Sequence, residues 1–270
     1  MPGKPQGQNE GALPVRLFRR GVGDLSESTM PFEGVASFSI GSVTVDVERG
    51  VASSKVTEVR RLLAKVVDAF HSTVTPPMVV NPSHLLMTSK TQVYGFIGVF
   101  KSFQRVVLWR PELDLARNVW HCAHEWLEMG LLSLGQPLPR WAIEGLAQLA
   151  GYHVVKSVFP ALVEEVRHAY GHGLAIDLDQ LMAWELPPSQ VSGDVDHGNR
   201  ALDEVIAFLN HTHPSEGPLY GAVLEAMVAW SAPLSDPLRT ILTALIAEPR
   251  VEFDRLMARL CGPFPRGVAR

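Results

Sequence analysis

The sequence predicts an α+β fold, a small mixed β-sheet with a packed helix followed by a largely helical half. Three observations carry this expectation. Short apolar runs with strand-like alternation gather before residue 110. From Pro111 onward the apolar spacing turns helical and stays so. Prolines such as Pro137, Pro160, Pro214, Pro237 and Pro249 then divide that half into helix-sized pieces.

Residues 1–30 are polar and rich in Gly and Pro, with a basic interruption from Arg16 to Arg20, and read as a flexible N-terminal tail. Order is expected from about Phe32. The runs ASFSI and VTVDV flank Gly41-Ser42, a pair suited to a two-residue hairpin turn. Ser53 or Ser54 is the expected cap of a helix that reaches about His71, with Val56, Val59, Leu62, Leu63, Val66, Val67 and Phe70 at helical spacing. Strands are expected at 78–89, 94–100 and 105–110, the last two joined as a hairpin by KSFQ. Helices are expected at about 114–134, 140–157, 160–170, 199–212, 216–230, 235–247 and 250–261, with a loop-rich stretch at 171–198. The organisation is then a tail (1–30), a mixed α/β subdomain (31–135) and a helical subdomain (136–270), with a cleft between the last two.

Composition removes several function classes. The net charge is −4, and no run of Lys or Arg exceeds a pair, so the basic footprint of a nucleic-acid binder is missing. No apolar run reaches the ~18 residues that span a bilayer, and the N-terminus lacks the apolar stretch of a signal peptide. Cys122 and Cys261 do not make a disulfide framework. The expectation is a soluble cytoplasmic protein with no nucleic-acid or membrane partner.

Chemistry concentrates on the helix at 114–134. Between Val119 and Leu134 the chain reads VWHCAHEWLEMGLLSL, and its titratable side chains, the thiol aside, are His121, His124, Glu125 and Glu128. At about 100° per residue, with His124 at zero, Glu128 falls near 40°, His121 near 60° and Glu125 near 100°. Arg117 projects onto the same face. Tryptophan, leucine and methionine occupy most of the remaining circumference, so the helix is buried on most sides. Ionisable groups in such a place must be paired, hydrogen-bonded or metal-bound. About twenty residues further on, PLPRWAIEGLAQLAGY places Glu144 in the second turn of the next helix.

This order resembles the gluzincin metallopeptidases, in particular the bacterial peptidase-MA-like families, over about residues 55–155. The strand RVVLWR resembles their edge strand, which aligns an extended substrate by β-augmentation. His124-Glu125 is similar to the start of their His-Glu-x-x-His helix. Trp141-Ala142-Ile143-Glu144-Gly145-Leu146-Ala147 is similar to their Trp-x-x-Glu-Gly segment. The resemblance implies a zinc site with Glu144 as a ligand, Glu125 as general base, and peptide or protein as substrate. Ligands at i and i+4 of one helix point the same way and can reach one cation, and a carboxylate beside the metal-bound water can take its proton.

The chain departs from the pattern at Glu128, which stands where the second zinc histidine is expected. Three explanations are open. Glu128 is itself a ligand with His124 and Glu144, giving a harder site that also tolerates manganese or iron. Alternatively His121, one turn earlier, compensates in a set with His124 and Glu144. Or the metal is lost, leaving a catalytically inactive gluzincin-fold protein whose cleft binds a peptide or partner protein. If the protein is active, the resemblance implies metal-assisted amide hydrolysis, with Arg117 or His197 stabilising the anionic intermediate.

Other groupings carry less. Glu165-Val166-Arg167-His168 is a lone Glu-x-x-His and reads as a surface helix. Asp194, Asp196 and His197 share a polar loop, and His211 and His213 suit a helix end. Ser133 and Cys122 lack a nucleophile context, and there is no Gly-rich phosphate loop.

Overall fold

A computed structural model describes residues 15–19, 29–74, 84–91, 93–99, 102–105, 107–170, 178–184 and 219–265. The strands are β1 (Val15–Arg19), β2 (Thr29–Pro31), β3 (Gly34–Ile40), β4 (Val43–Glu48), β5 (His84–Met87), β6 (Val93–Val99), β7 (Ser102–Arg105) and β8 (Val107–Trp109). The helices are α1 (Ser53–Val74), α2 (Leu115–Ser133), α3 (Arg140–Val158), α4 (Val163–Tyr170), α5 (Leu178–Met182), α6 (residues 219–231), α7 (Pro237–Ala247) and α8 (Phe253–Cys261). The class is α+β, as expected.

The central sheet has the order β3-β4-β5-β8 and is mixed. β3 and β4 form an antiparallel hairpin closed at Gly41, whose φ of 58° suits glycine. β4 alternates as expected, with Val43, Val45 and Val47 buried. β4, α1 and β5 then make a parallel crossover unit, and β8 adds in parallel beside β5. Buried Glu48 at the end of β4 accepts from Thr88 Oγ1 at 2.6 Å and from Ser89 N at 3.1 Å, fixing the register of β5 against β4.

α1 lays Val59, Leu63, Val66 and Phe70 into the core, and the Phe70 ring meets Trp126 of α2 edge-on at 5.3 Å. α2 and α3 pair antiparallel, because residue 120 meets residues 148 and 151 while residue 124 meets residue 144. Gly135, with φ 65°, ends α2 and lets the chain reverse. One hydrophobic cluster runs from Val43 on β4 to Met257 on α8, so the halves on either side of residue 135 share a core. Among the described residues no helix is long and apolar enough to cross a membrane.

The structure differs from the sequence expectations in three places. Residues 15–19, expected in the tail, form β1, which pairs antiparallel with both β2 and β6 in a second sheet of order β2-β1-β6-β7. The alternation VRLFR is too short to announce a strand, and its partner β6 lies far along the chain. Among the described residues, RVVLWR pairs with YGFIGVF through Arg105 alone. β6 pairs with β7, from Phe96↔Arg105 to Val99↔Ser102, and the later part of the run, β8, belongs to the central sheet. The loop-rich stretch contains the short helix α5. The helix expected at 199–212 lies outside the described residues.

Candidate metal centre

The centre is built where α2 meets α3. Asp114 caps α2, its carboxylate accepting from Arg117 N at 2.7 Å. Asn118, in the first turn, is buried and ties the end of β8 to the helix. Its Oδ1 accepts from Arg110 N at 2.7 Å, and its Nδ2 donates to the carbonyls of Arg110, Leu113 and Asp114 at 2.9, 3.0 and 3.1 Å. Further along, Trp120 Nε1 donates to Gln148 Oε1 at 2.7 Å, linking α2 to α3. These contacts set the rotation of α2, and that rotation presents its polar face to α3.

On that face His124 is 8% exposed, Glu125 2% and Glu128 4%, and α3 supplies Glu144 at 4%. One ligand atom each from His124, Glu125 and Glu128 fit within 4.8 Å of one another. His124 Nε2 lies 3.3 Å from Glu144 Oε2 and 3.8 Å from Glu128 Oε2. Two ligands on one cation with bonds of about 2.0–2.1 Å stand about 3.3–3.5 Å apart in a tetrahedral arrangement. Among the described residues, the set whose ligand atoms could share one cation is His124, Glu125 and Glu128, and Glu144 stands beside it through its contact with His124.

Among the described residues, the buried carboxylates of Glu125, Glu128 and Glu144 gather with the buried guanidinium of Arg140. Burial works against the charged form of His124, but the hydrogen bond and charge of Glu144, followed by the charges of Glu125 and Glu128, outweigh it and raise the imidazole pKa above its ordinary value.

The remaining expected residues are placed as follows. His121 turns to Glu125, with Nδ1 3.5 Å from Oε1, at the more exposed margin of the cluster. Arg117 pairs with Asp114 at 3.3 Å, and it stands about 10 Å along the helix axis from His124. His197, Asp194, Asp196, His211 and His213 lie outside the described residues. His168 sits on α4, which packs against α2 through Tyr170 on Trp120 and against α3 through Glu164 on Tyr152, and it does not join the ligand group. Cys122 is fully buried, and burial, with the nearby Glu125 charge, pushes its thiol pKa up, so it packs as a small hydrophobe.

Two residues of the Pro-Arg-Trp-x-x-Glu-Gly segment gain a physical role. Gly145 is where α6 crosses α3: a Cβ there would stand 2.7 Å from Met227 Cγ and 2.9 Å from Val223 Cγ2. Arg140, to which the sequence assigned no role, is 3% exposed. Its Nε is 3.5 Å from Glu144 Oε1, its Nη2 donates to Tyr220 Oη at 3.3 Å, and its guanidinium lies 4.7 Å over the Trp184 ring. The signal that could have found it is its i, i+4 spacing to Glu144. No protein-family model matches the chain, and neither a curated protein nor a solved structure matches it.

Proposed function

We propose that this chain is a divergent gluzincin-type metal-dependent hydrolase acting on amide bonds of a peptide or protein. The observation that carries the reading is the buried cluster of His124, Glu125 and Glu128, one possible ligand atom of each within 4.8 Å of the others, with Glu144 Oε2 3.3 Å from His124 Nε2. His124, Glu128 and Glu144 would hold the ion. The carboxylate-rich set admits manganese or iron as well as zinc. When bound there, the ion supplies Lewis acidity and an acidified water.

The chain's own groups do the rest. Glu125, on the same face, accepts the proton released by the nucleophile. His121 holds the outer oxygen of Glu125 and keeps that carboxylate turned along the helix. His124, Glu125, Glu128 and Glu144 are all buried, which keeps bulk water away from the cluster. β8 ends the central sheet, and an extended peptide pairing there would run beside the start of α2. His197 is the proposed donor to the anionic intermediate. The free thiols of Cys122 and Cys261 suit a reducing compartment, and we place the protein in the cytoplasm.

A second reading is favoured by the raised pKa of His124. Here the cluster is neutralised by protons, no metal binds, and the fold persists as an inactive protein whose cleft holds a peptide or partner. Metal analysis of protein purified without a histidine tag separates the two. A stoichiometric metal that disappears in Glu144→Ala supports the hydrolase. A metal-free protein with no affinity for added zinc, manganese or iron sinks it.

A further inference from the structure

We propose that Arg140 is a positioning residue that sets which oxygen of Glu144 faces the cation site. The inference rests on the metal-centre reading above. Glu144 is held from two sides. Oε1 is 3.5 Å from the Arg140 guanidinium, and Oε2 is 3.3 Å from His124 Nε2. An Arg cannot shed its proton in a protein, so this ion pair does not dissolve with pH as a lysine or histidine pair would. The pairing leaves Oε2 of Glu144 on the side of His124, where it can be offered to a cation.

Arg140 is in turn held in place. It is a buried cation, and it reaches three elements at once. Tyr220 on α6 accepts from Nη2 at 3.3 Å, and Trp184 beyond α5 lies under the guanidinium. Those two rings meet edge-on at 5.0 Å. A planar, aromatic-stacked fork of this kind fixes both the position and the plane of the guanidinium, which an ammonium could not do. α6 is kept close by the contact of Gly145 with Met227 and Val223. The second half of the fold thus reaches the metal centre through Arg140 and Glu144. Outer contacts that orient a ligand typically change metal affinity by about 10–100-fold when removed.

The test is a double-mutant cycle of Arg140→Gln and Glu144→Gln on the full chain, titrated with Mn²⁺ and Zn²⁺. Loss of a positive charge alone would strengthen cation binding. Loss of positioning weakens it. The expected result is a weakening of about tenfold or more from R140Q in the native background, partial recovery in Arg140→Lys, and no further weakening when R140Q is added to E144Q. Unchanged or tighter binding in R140Q, or equal weakening in both backgrounds, overturns the proposal. A second readout, in metal-free protein, is the ring-nitrogen NMR signal of His124. R140Q should shift it in the native background and leave it unmoved in E144Q; a shift of similar size in both backgrounds also overturns the proposal. If the native protein binds neither ion, the hydrolase reading fails by itself, and the His124 signal still decides whether Arg140 acts through Glu144.

Discussion

Replacing Glu128 by histidine probes the one position where the chain leaves the His-Glu-x-x-His pattern. The effect expected of Glu128→His is one of ligand type, since an imidazole suits zinc better than a carboxylate does, while manganese prefers oxygen. Competition from protons does not add to it. Glu128 Oε2, 3.8 Å from His124 Nε2, helps to hold a proton there, but the same carboxylate attracts a dication about twice as strongly as it attracts an imidazolium at equal distance. Competition against a chelator should give zinc binding about tenfold tighter in E128H, a gain of about 1.4 kcal/mol, with manganese binding weakened. Circular dichroism confirms that the fold is kept. A folded E128H with unchanged zinc affinity would refute the reasoning, because residues 124, 128 and 144 could then not share one ion.

Other expectations follow from the same geometry. His124 has a folded-state pKa raised above its ordinary 6.5, so its share of metal-free stability is present below that pH and fades as pH rises through the raised value. Urea midpoints of the metal-free protein should fall over that range, and Glu144→Gln should flatten the fall. Glu125→Gln should keep metal affinity within a few-fold and abolish turnover of a peptide library; loss of the metal itself would make Glu125 a ligand. Gly145→Ala and Gly151→Ala both gain about 1 kcal/mol of helix propensity, yet they meet different neighbours. The added Cβ at 145 meets Met227 Cγ at 2.7 Å and Val223 Cγ2 at 2.9 Å, on one helix that can shift by a few tenths of an ångström, whereas at 151 it meets three atoms of the Trp120 indole, the nearest at 2.6 Å. That ring is held by Gln148 and stacked on Tyr170 at 5.2 Å. G151A should lose about 1–3 kcal/mol net and G145A less, by chemical denaturation; the reverse order would contradict the packing described.

What could be read from the sequence was what helix periodicity alone controls. His124, Glu125 and Glu128 fall on one face because 3.6 residues make a turn, and that holds wherever the helix docks. His121 and Glu125, four residues apart, pair for the same reason. Glu144 was visible because a short segment carries it at the start of the next helix. The missing parts depend on partners distant in sequence. β1 pairs with β6, so its alternation means little without residues 93–97. RVVLWR reads as one apolar run, yet Arg105 closes β7 and Val107 opens β8 in a different sheet. Arg140 was legible as a motif letter only. Its role comes from Tyr220 and Trp184, which lie 80 and 44 residues further along the chain.

Glu128 decides between the two readings, and burial gives a way to ask it. Burying a carboxylate costs several kcal/mol unless it is paired, and an apolar residue at 128 would avoid that cost. The chain instead gathers buried Glu125, Glu128 and Glu144 around His124. A proton on His124 and a cation there exclude each other at the same atoms, so cation binding must expel whatever protons are there. Calorimetric titration of Zn²⁺ or Mn²⁺ in buffers of different ionisation enthalpy counts those protons. The number should fall as pH rises and His124 loses its proton beforehand. Glu128→His should change the count, since the new imidazole titrates in the same range. A proton count independent of pH would mean that the ion binds elsewhere and that the buried cluster is a closed, proton-filled network.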